Sequence, residues 1–225
     1  MKNLFVNKPY FLLIVPAILA YFAKSGYGFG FKAAVTISCM LILALVYRKS
    51  IKTTSGLLYI FAAFLFSILG DWFLSNKGDS FTMFSVGIGL YFVAHVGYLW
   101  FALANGRIHK IFTLVLLVGY LLFFFIRIFP SMDNTVLIVV TFLYLLISCF
   151  SLGAAAGINL NPIVKWSYFS GVALILFSDT IISLYEFTAY RELNFLILPT
   201  YYAAHIVITF VLIHRADYKT KTVIT

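Results

Sequence analysis

Apolar residues run along the chain in long blocks, separated by short joints of glycine, asparagine, proline, lysine and arginine. Each block approaches the roughly 20 residues that a helix needs to cross the hydrocarbon of a bilayer. The blocks are apolar on both parities, so the alternation of a membrane barrel is missing. The pattern predicts an all-α polytopic membrane protein with eight transmembrane helices, over residues 9–23, 31–47, 55–74, 81–104, 111–129, 135–155, 164–187 and 194–214. The joints hold the residues that break helices: glycines between Gly26 and Gly30, the stretch from Asn76 to Asp79, Pro130, and the loop from Gly157 to Pro162.

Composition agrees with this pattern. Of 225 residues 63% are hydrophobic and 10% charged, with a mean hydropathy of +1.04. Eight helices leave almost no mass outside the bilayer, so residues 1–225 read as a single transmembrane domain whose first partner is lipid. The formal charge of +9 would suggest nucleic acid in a soluble protein, but here the basic residues sort by side of the membrane. Lys2, Lys8, Arg48, Lys49, Lys52, Arg107, Lys110, Lys165, Arg215, Lys219 and Lys221 fall on the side of both termini; Lys24, Lys32, Lys77, Arg127 and Arg191 fall opposite. Eleven against five places the termini in the cytoplasm, as expected for the inner or cytoplasmic membrane of a bacterium, and no nucleic-acid partner is implied. Lys2 and Lys8 ahead of an apolar run resemble a signal peptide, but Lys24 and a further helix follow, so the first block reads as a retained span.

Polar residues inside the blocks carry the chemistry. An ionised carboxylate in hydrocarbon costs about 2.5–3.5 kcal/mol even on a lenient scale, yet Asp71 lies in the third block and Asp179 in the seventh. Each is followed by a histidine on the next block, in the near-copies Tyr91-Phe92-Val93-Ala94-His95 and Tyr201-Tyr202-Ala203-Ala204-His205. This predicts a parallel repeat of four helices with a site at the interface of its halves. Helical spacing puts Ser67 and Ser75 on the face of Asp71, Ser183 and Glu186 on that of Asp179, Tyr91 and Tyr98 on that of His95, and Tyr201 and Tyr202 beside His205. Such hydroxyls also serve as plain ties between helices, and Gly87, Gly89 and Gly97 as places of close approach. His109 and His214 fall at helix ends; Cys39 and Cys149 have no redox or metal spacing and read as packing residues.

No Gly-x-Ser-x-Gly, His-Glu-x-x-His, phosphate loop or Cys-x-x-Cys is present, which removes the common serine hydrolase, zincin and nucleotide readings. Acid–base chemistry remains. Of two carboxyls in one water-poor site, one can keep its proton and donate it while the other stays charged. Two acids and two imidazoles have the donor types of a divalent metal site, but the third histidine typical of membrane zinc hydrolases is missing, so neither metal nor cofactor is expected.

The Gly70-Asp71 step, the Gly87-x-Gly89-x-x-Phe92-x-x-His95-x-x-Tyr98 pattern, the stretch from Gly171 to Phe177-Ser178-Asp179, and Tyr201-Tyr202-Ala203-Ala204 resemble the YhhN-like lysoplasmalogenases. The resemblance covers the third, fourth, seventh and eighth blocks; the others add only hydropathy. His205 departs from it, standing where the family often carries glutamine. The resemblance implies hydrolysis of the vinyl ether bond of lysoplasmalogens, single-chain lysophospholipids, to a fatty aldehyde and a glycerophospho-alcohol. A vinyl ether is cleaved by protonating its β-carbon; water captures the resulting oxocarbenium ion as a hemiacetal, which collapses. On this reading Asp71 and Asp179 are catalytic, and His95, Tyr98, Ser178, Tyr201, Tyr202 and His205 bind or orient substrate and water.

Two rival classes share the same residues. Intramembrane acids on repeated helices also mark proton-coupled transporters, although the third and seventh blocks have little of the proline or glycine interruption that transporters use. A structural membrane protein without chemistry is the third reading. Headgroup preference and oligomeric state leave no signal in the sequence.

Overall fold

The computed structural model describes residues 9–26, 28–51 and 54–224, with side chains as far as Ala216. Lys2, Lys8 and Lys52 of the charge count, and the side chains of Lys219 and Lys221, lie outside the described residues. Eight α-helices follow one another: α1 (Ile14–Lys24), α2 (Phe29–Val46), α3 (Leu57–Ser75), α4 (Phe81–Leu103), α5 (Lys110–Phe123), α6 (Thr135–Ala156), α7 (Pro162–Phe187) and α8 (Ile197–Ile224). Among the described residues seven segments are long and apolar enough to cross a membrane; Pro9–Lys24, a 3-10 turn leading into α1, is shorter. Seven of the eight expected crossings thus have the length of a span, and the first is a shorter apolar helix. The chain is an all-helical, multi-pass integral membrane protein.

Local chemistry sets the helix ends. Ser80 accepts from the Met83 amide to cap α4, Asn134 from Leu137 to cap α6, and Asn161 from Ile163 to cap α7, with Pro162 in the first turn. His109, expected only to sit at an interface, caps α5 through its ring nitrogen. Two boundaries differ from the sequence pattern. The α-helical part of α5 stops at Phe123 and continues as a π turn (Phe124–Ile128) and a 3-10 turn (Phe129–Ser131), because Pro130 lacks an amide and its ring clashes with the carbonyl one turn back. α8 begins after a 3-10 turn at Asn194–Leu196 and runs to Ile224 instead of ending at 214, since no glycine or proline interrupts residues 215–224.

The bundle is built on two tight hairpins, α3 with α4 and α7 with α8, bridged by α6, which packs on α4 and α7, and by α2, which packs on α3 and α8. Small residues let these backbones close up. A Cβ on Gly97 of α4 would stand 2.6 Å from the Tyr59 carbonyl oxygen and 2.9 Å from the Ala63 Cβ of α3; one on Gly171 of α7 would stand 2.7 Å from the Ile208 side chain of α8. A core of Phe64, Tyr98, Phe101, Tyr168 and Ile208 fills the space between the hairpins. The Tyr168 hydroxyl donates to the Tyr98 carbonyl at 2.8 Å and the Tyr47 hydroxyl to the Leu212 carbonyl at 2.6 Å.

One end of the bundle is latched. The joint after α4 pairs with the joint after α6: Arg107 donates to the Gly157 carbonyl at 3.1 Å, Asn159 to Asn105 at 2.9 Å, and His109 to Gly153 at 3.0 Å. The Arg215 guanidinium, buried near this end of α8, donates to the Ser55 carbonyl at 3.1 Å and to the Asn105 side chain at 2.8 Å. Tyr10 and His214 meet at 3.2 Å, bringing the start of the described chain to the same end of α8. The opposite end, with the joints after α1, α3 and α7, holds the cavity.

Candidate active site

Asp71 sits one turn from the end of α3, and Asp179 lies two turns from the end of α7. Two helices from different hairpins turn these carboxyls into one cavity of about 490 Å³, whose wall also includes Tyr91, Tyr201, Ile182 and Leu198. Lys24, Lys32, Lys77 and Glu186 stand on the same cavity wall.

The acids have different partners. Tyr91 on α4 donates its hydroxyl to the Asp71 Oδ1, while the buried Oδ2 has no hydrogen-bond partner. The Tyr201 hydroxyl on α8 faces the same carboxyl, without meeting the geometry of a hydrogen bond. Gly70 explains how Tyr91 gets there: a Cβ on that residue would stand 3.1 Å from the Tyr91 ring, so its absence lets the ring cross α3 beside the next residue, Asp71. Around Asp179, Tyr144 on α6 donates to Oδ2 at 2.5 Å. The His95 Nε2 on α4 lies 3.5 Å from the same oxygen, an ion pair whenever the imidazole carries its second proton. His95 is 1% exposed, and neither of its ring nitrogens has a hydrogen bond. Its ring meets Tyr144 and Tyr98 edge-on, at 5.3 and 5.8 Å between centroids. A carboxyl with a buried, bare oxygen and a carboxyl bonded by a phenol and flanked by an imidazole are suited to different steps of acid–base chemistry.

The remaining expected residues divide into two groups. Tyr201 lies on the cavity wall, its ring edge-on to that of Tyr91 at 6.2 Å. Tyr98, Ser178, Tyr202 and His205 are buried behind the wall. Ser178 donates to the Ile197 carbonyl at 3.0 Å and ties α7 to the first turn of α8. The His205 Nδ1 lies 3.0 Å from the Tyr201 carbonyl, and its ring packs on Phe64 at 4.9 Å. Tyr202 packs against Tyr201 at 5.3 Å, its own hydroxyl without a partner. Ser178, Tyr202 and His205 thus touch Tyr201 or the first turn of α8, while Tyr98 packs on Phe64 and His95. Among the described residues, no group of three or more histidine, cysteine, aspartate or glutamate side chains is gathered as a metal site would need.

Tyr144 was not among the residues singled out from the sequence. Its signal was a stripe on α6, where Thr141, Tyr144 and Ser148 share one face of an otherwise apolar helix. Tyr91 was noted only as a companion of His95, because nothing in a single sequence tells which neighbouring helix a tyrosine reaches. The lysines of the wall were read as topology signals alone.

No curated protein and no solved structure is similar enough to the chain to count as a match. A family model matches residues 29–212, from the first turn of α2 to the core of α8, and so takes in both acids and every partner described around them. The chain belongs to the YhhN family.

Proposed function

We propose that this protein is a membrane hydrolase that cleaves the vinyl ether bond of lysoplasmalogens. The observation that carries the reading is that Asp71 and Asp179, from two hairpins, line one cavity with different partners. Family membership and the membrane setting fit a lipid substrate.

The geometry suggests which acid does what. Asp179, beside His95 and held by Tyr144, is the ionised member. Asp71 is the acid: Oδ1 accepts from Tyr91, which leaves Oδ2 to carry and deliver the proton. That proton passes to the β-carbon of the vinyl ether, and positive charge develops on the α-carbon and the ether oxygen. The Asp179 carboxylate faces and stabilises this cation. Water adds to the α-carbon and returns a proton to Asp71. The hemiacetal then loses its hydroxyl proton and expels the glycerol oxygen, which takes up a proton, leaving a free aldehyde and a glycerophospho-alcohol. Tyr201 on the wall orients the substrate, Ser178, Tyr202 and His205 hold that wall in place, and Tyr98 packs beside His95.

The reading includes the parallel four-helix repeat, with the matching tyrosines Tyr91 and Tyr201 meeting edge to face at the interface it proposes. The reading also has both termini in the cytoplasm, which the excess of basic residues on their side supports, and the cavity opening on the opposite side. A proton-coupled carrier needs a path open to each side in turn, and the hydrogen bonds that latch the far end favour the enzyme.

The test is aldehyde release from lysoplasmenylcholine by the purified full-length protein, with Asp71→Asn and Asp179→Asn alongside. Hydrolysis by the wild type that falls by about 10² or more in each variant supports the assignment. No release by the wild type, or undiminished release by both variants, overturns it.

A further inference from the structure

The mouth of the cavity has a charge pattern that the hydrolytic reaction does not use. Lys24 closes α1, Lys32 lies in the first turn of α2 and Lys77 follows α3, so three cations from neighbouring helix ends converge on one wall. Two are held in place: Lys32 donates to the Ser75 hydroxyl at 3.1 Å, and Lys77 lies 3.1 Å from the Glu186 carboxylate. Lys24 stands exposed. Below them lie the two acids and an apolar wall.

Counting charges identifies the ligand. The three lysines face Glu186 and, on the reading above, one ionised aspartate. One positive charge is left over, in a mouth where partly desolvated cations attract anions more strongly than on an open surface. The surplus matches the single negative charge of a phosphodiester. A phosphodiester attached through a glycerol to an uncharged chain would set its charge among the lysines and its ether oxygen toward the acids.

We propose that Lys24, Lys32 and Lys77 form a subsite for the phosphate of a single-chain phospholipid at the mouth of the cavity. The subsite deepens the lysoplasmalogenase reading and rests on it for the direction in which the lipid lies. It makes the phosphate, more than the alcohol beyond it, the part of the headgroup that is recognised.

The experiment measures equilibrium binding to the full-length protein in an uncharged detergent, so that it reads affinity and not turnover. Two saturated ethers that cannot be hydrolysed are compared: an alkyl ether of glycerophosphocholine, and the same alkyl glycerol without the phosphocholine. The wild type binds the first about tenfold more tightly, and rising salt narrows the gap. In the K24Q/K32Q/K77Q variant the gap closes while affinity for the alkyl glycerol persists, which also reports that the cavity is intact. Equal affinities in the wild type, a gap indifferent to salt, or a gap unchanged in the variant overturns the subsite. Inorganic phosphate is the third ligand: saturation at the concentration of the lipid makes this a site for free anion and overturns the lipid assignment. Failure of the hydrolytic reading has a different signature, discrimination between the two ethers without aldehyde release from the vinyl ether.

Discussion

The His95 Nε2 lies 3.5 Å from the Asp179 Oδ2, with both side chains almost wholly removed from solvent. The pair spans two hairpins, so the imidazole of one fixes where the carboxyl of the other stands. His95→Gln keeps a polar side chain of similar reach but cannot carry the charge. Its kcat for vinyl ether hydrolysis should fall by about tenfold to a hundredfold, with a smaller change in KM, as measured by steady-state aldehyde release.

The Tyr144 hydroxyl donates to the same carboxylate oxygen. Tyr144→Phe removes that donor and keeps the ring that meets His95 edge-on. A hydrogen bond to a charged group is worth about 1.5–3 kcal/mol, so a loss of about tenfold or more in kcat/KM is expected. Thermal unfolding in detergent should change little, which separates positioning of the acid from support of the bundle.

Gly70 and Gly89 make a matched pair. A methyl group on Gly70 meets the Tyr91 ring at 3.1 Å, while one on Gly89 meets nothing within 4 Å. Gly70→Ala should push Tyr91 off the Asp71 carboxyl and lower the rate by about tenfold, in line with one hydrogen bond lost. Gly89→Ala should leave activity unchanged. Parallel rate measurements on the two variants check this.

Arg215 lies at the latched end and bonds to Ser55 and Asn105. Arg215→Ala removes both hydrogen bonds and the contact of the buried guanidinium with the Phe101 ring, at a cost of about 1–3 kcal/mol in all. Its melting temperature should drop while kcat at low temperature stays near that of the wild type. A lost kcat in a variant that melts normally would mean that this end takes part in turnover.

Much of the fold and the centre of the site was legible in the sequence, for one physical reason. Charge is so costly in hydrocarbon that Asp71 and Asp179 stand out from their blocks without any knowledge of their neighbours. The same cost makes the joints conspicuous, which is why the third, fourth, sixth and seventh helices lie within a few residues of expectation. What was not legible depends on contacts between helices. The partnership of Tyr144 with Asp179 and the crossing of Tyr91 over Gly70 follow from how α4 and α6 rotate against α3 and α7, which composition does not encode. The short α1 and the π turn ahead of Pro130 are local, but hydropathy averages over them. The lysines of the cavity mouth were visible yet read only as orientation signals, because a count by side ignores which of them converge.

The central claim is that Asp71 and Asp179 act as one unit in a shared cavity. Single-turnover hydrolysis of a vinyl ether lysophospholipid by D71N, D179N and the D71N/D179N double variant tests it most directly. If one proton is shared between the acid and its charged partner, the double variant should be scarcely slower than the worse single variant. Losses that multiply in the double variant, or a single variant that keeps the wild-type rate, would mean that the two carboxyls do not work together.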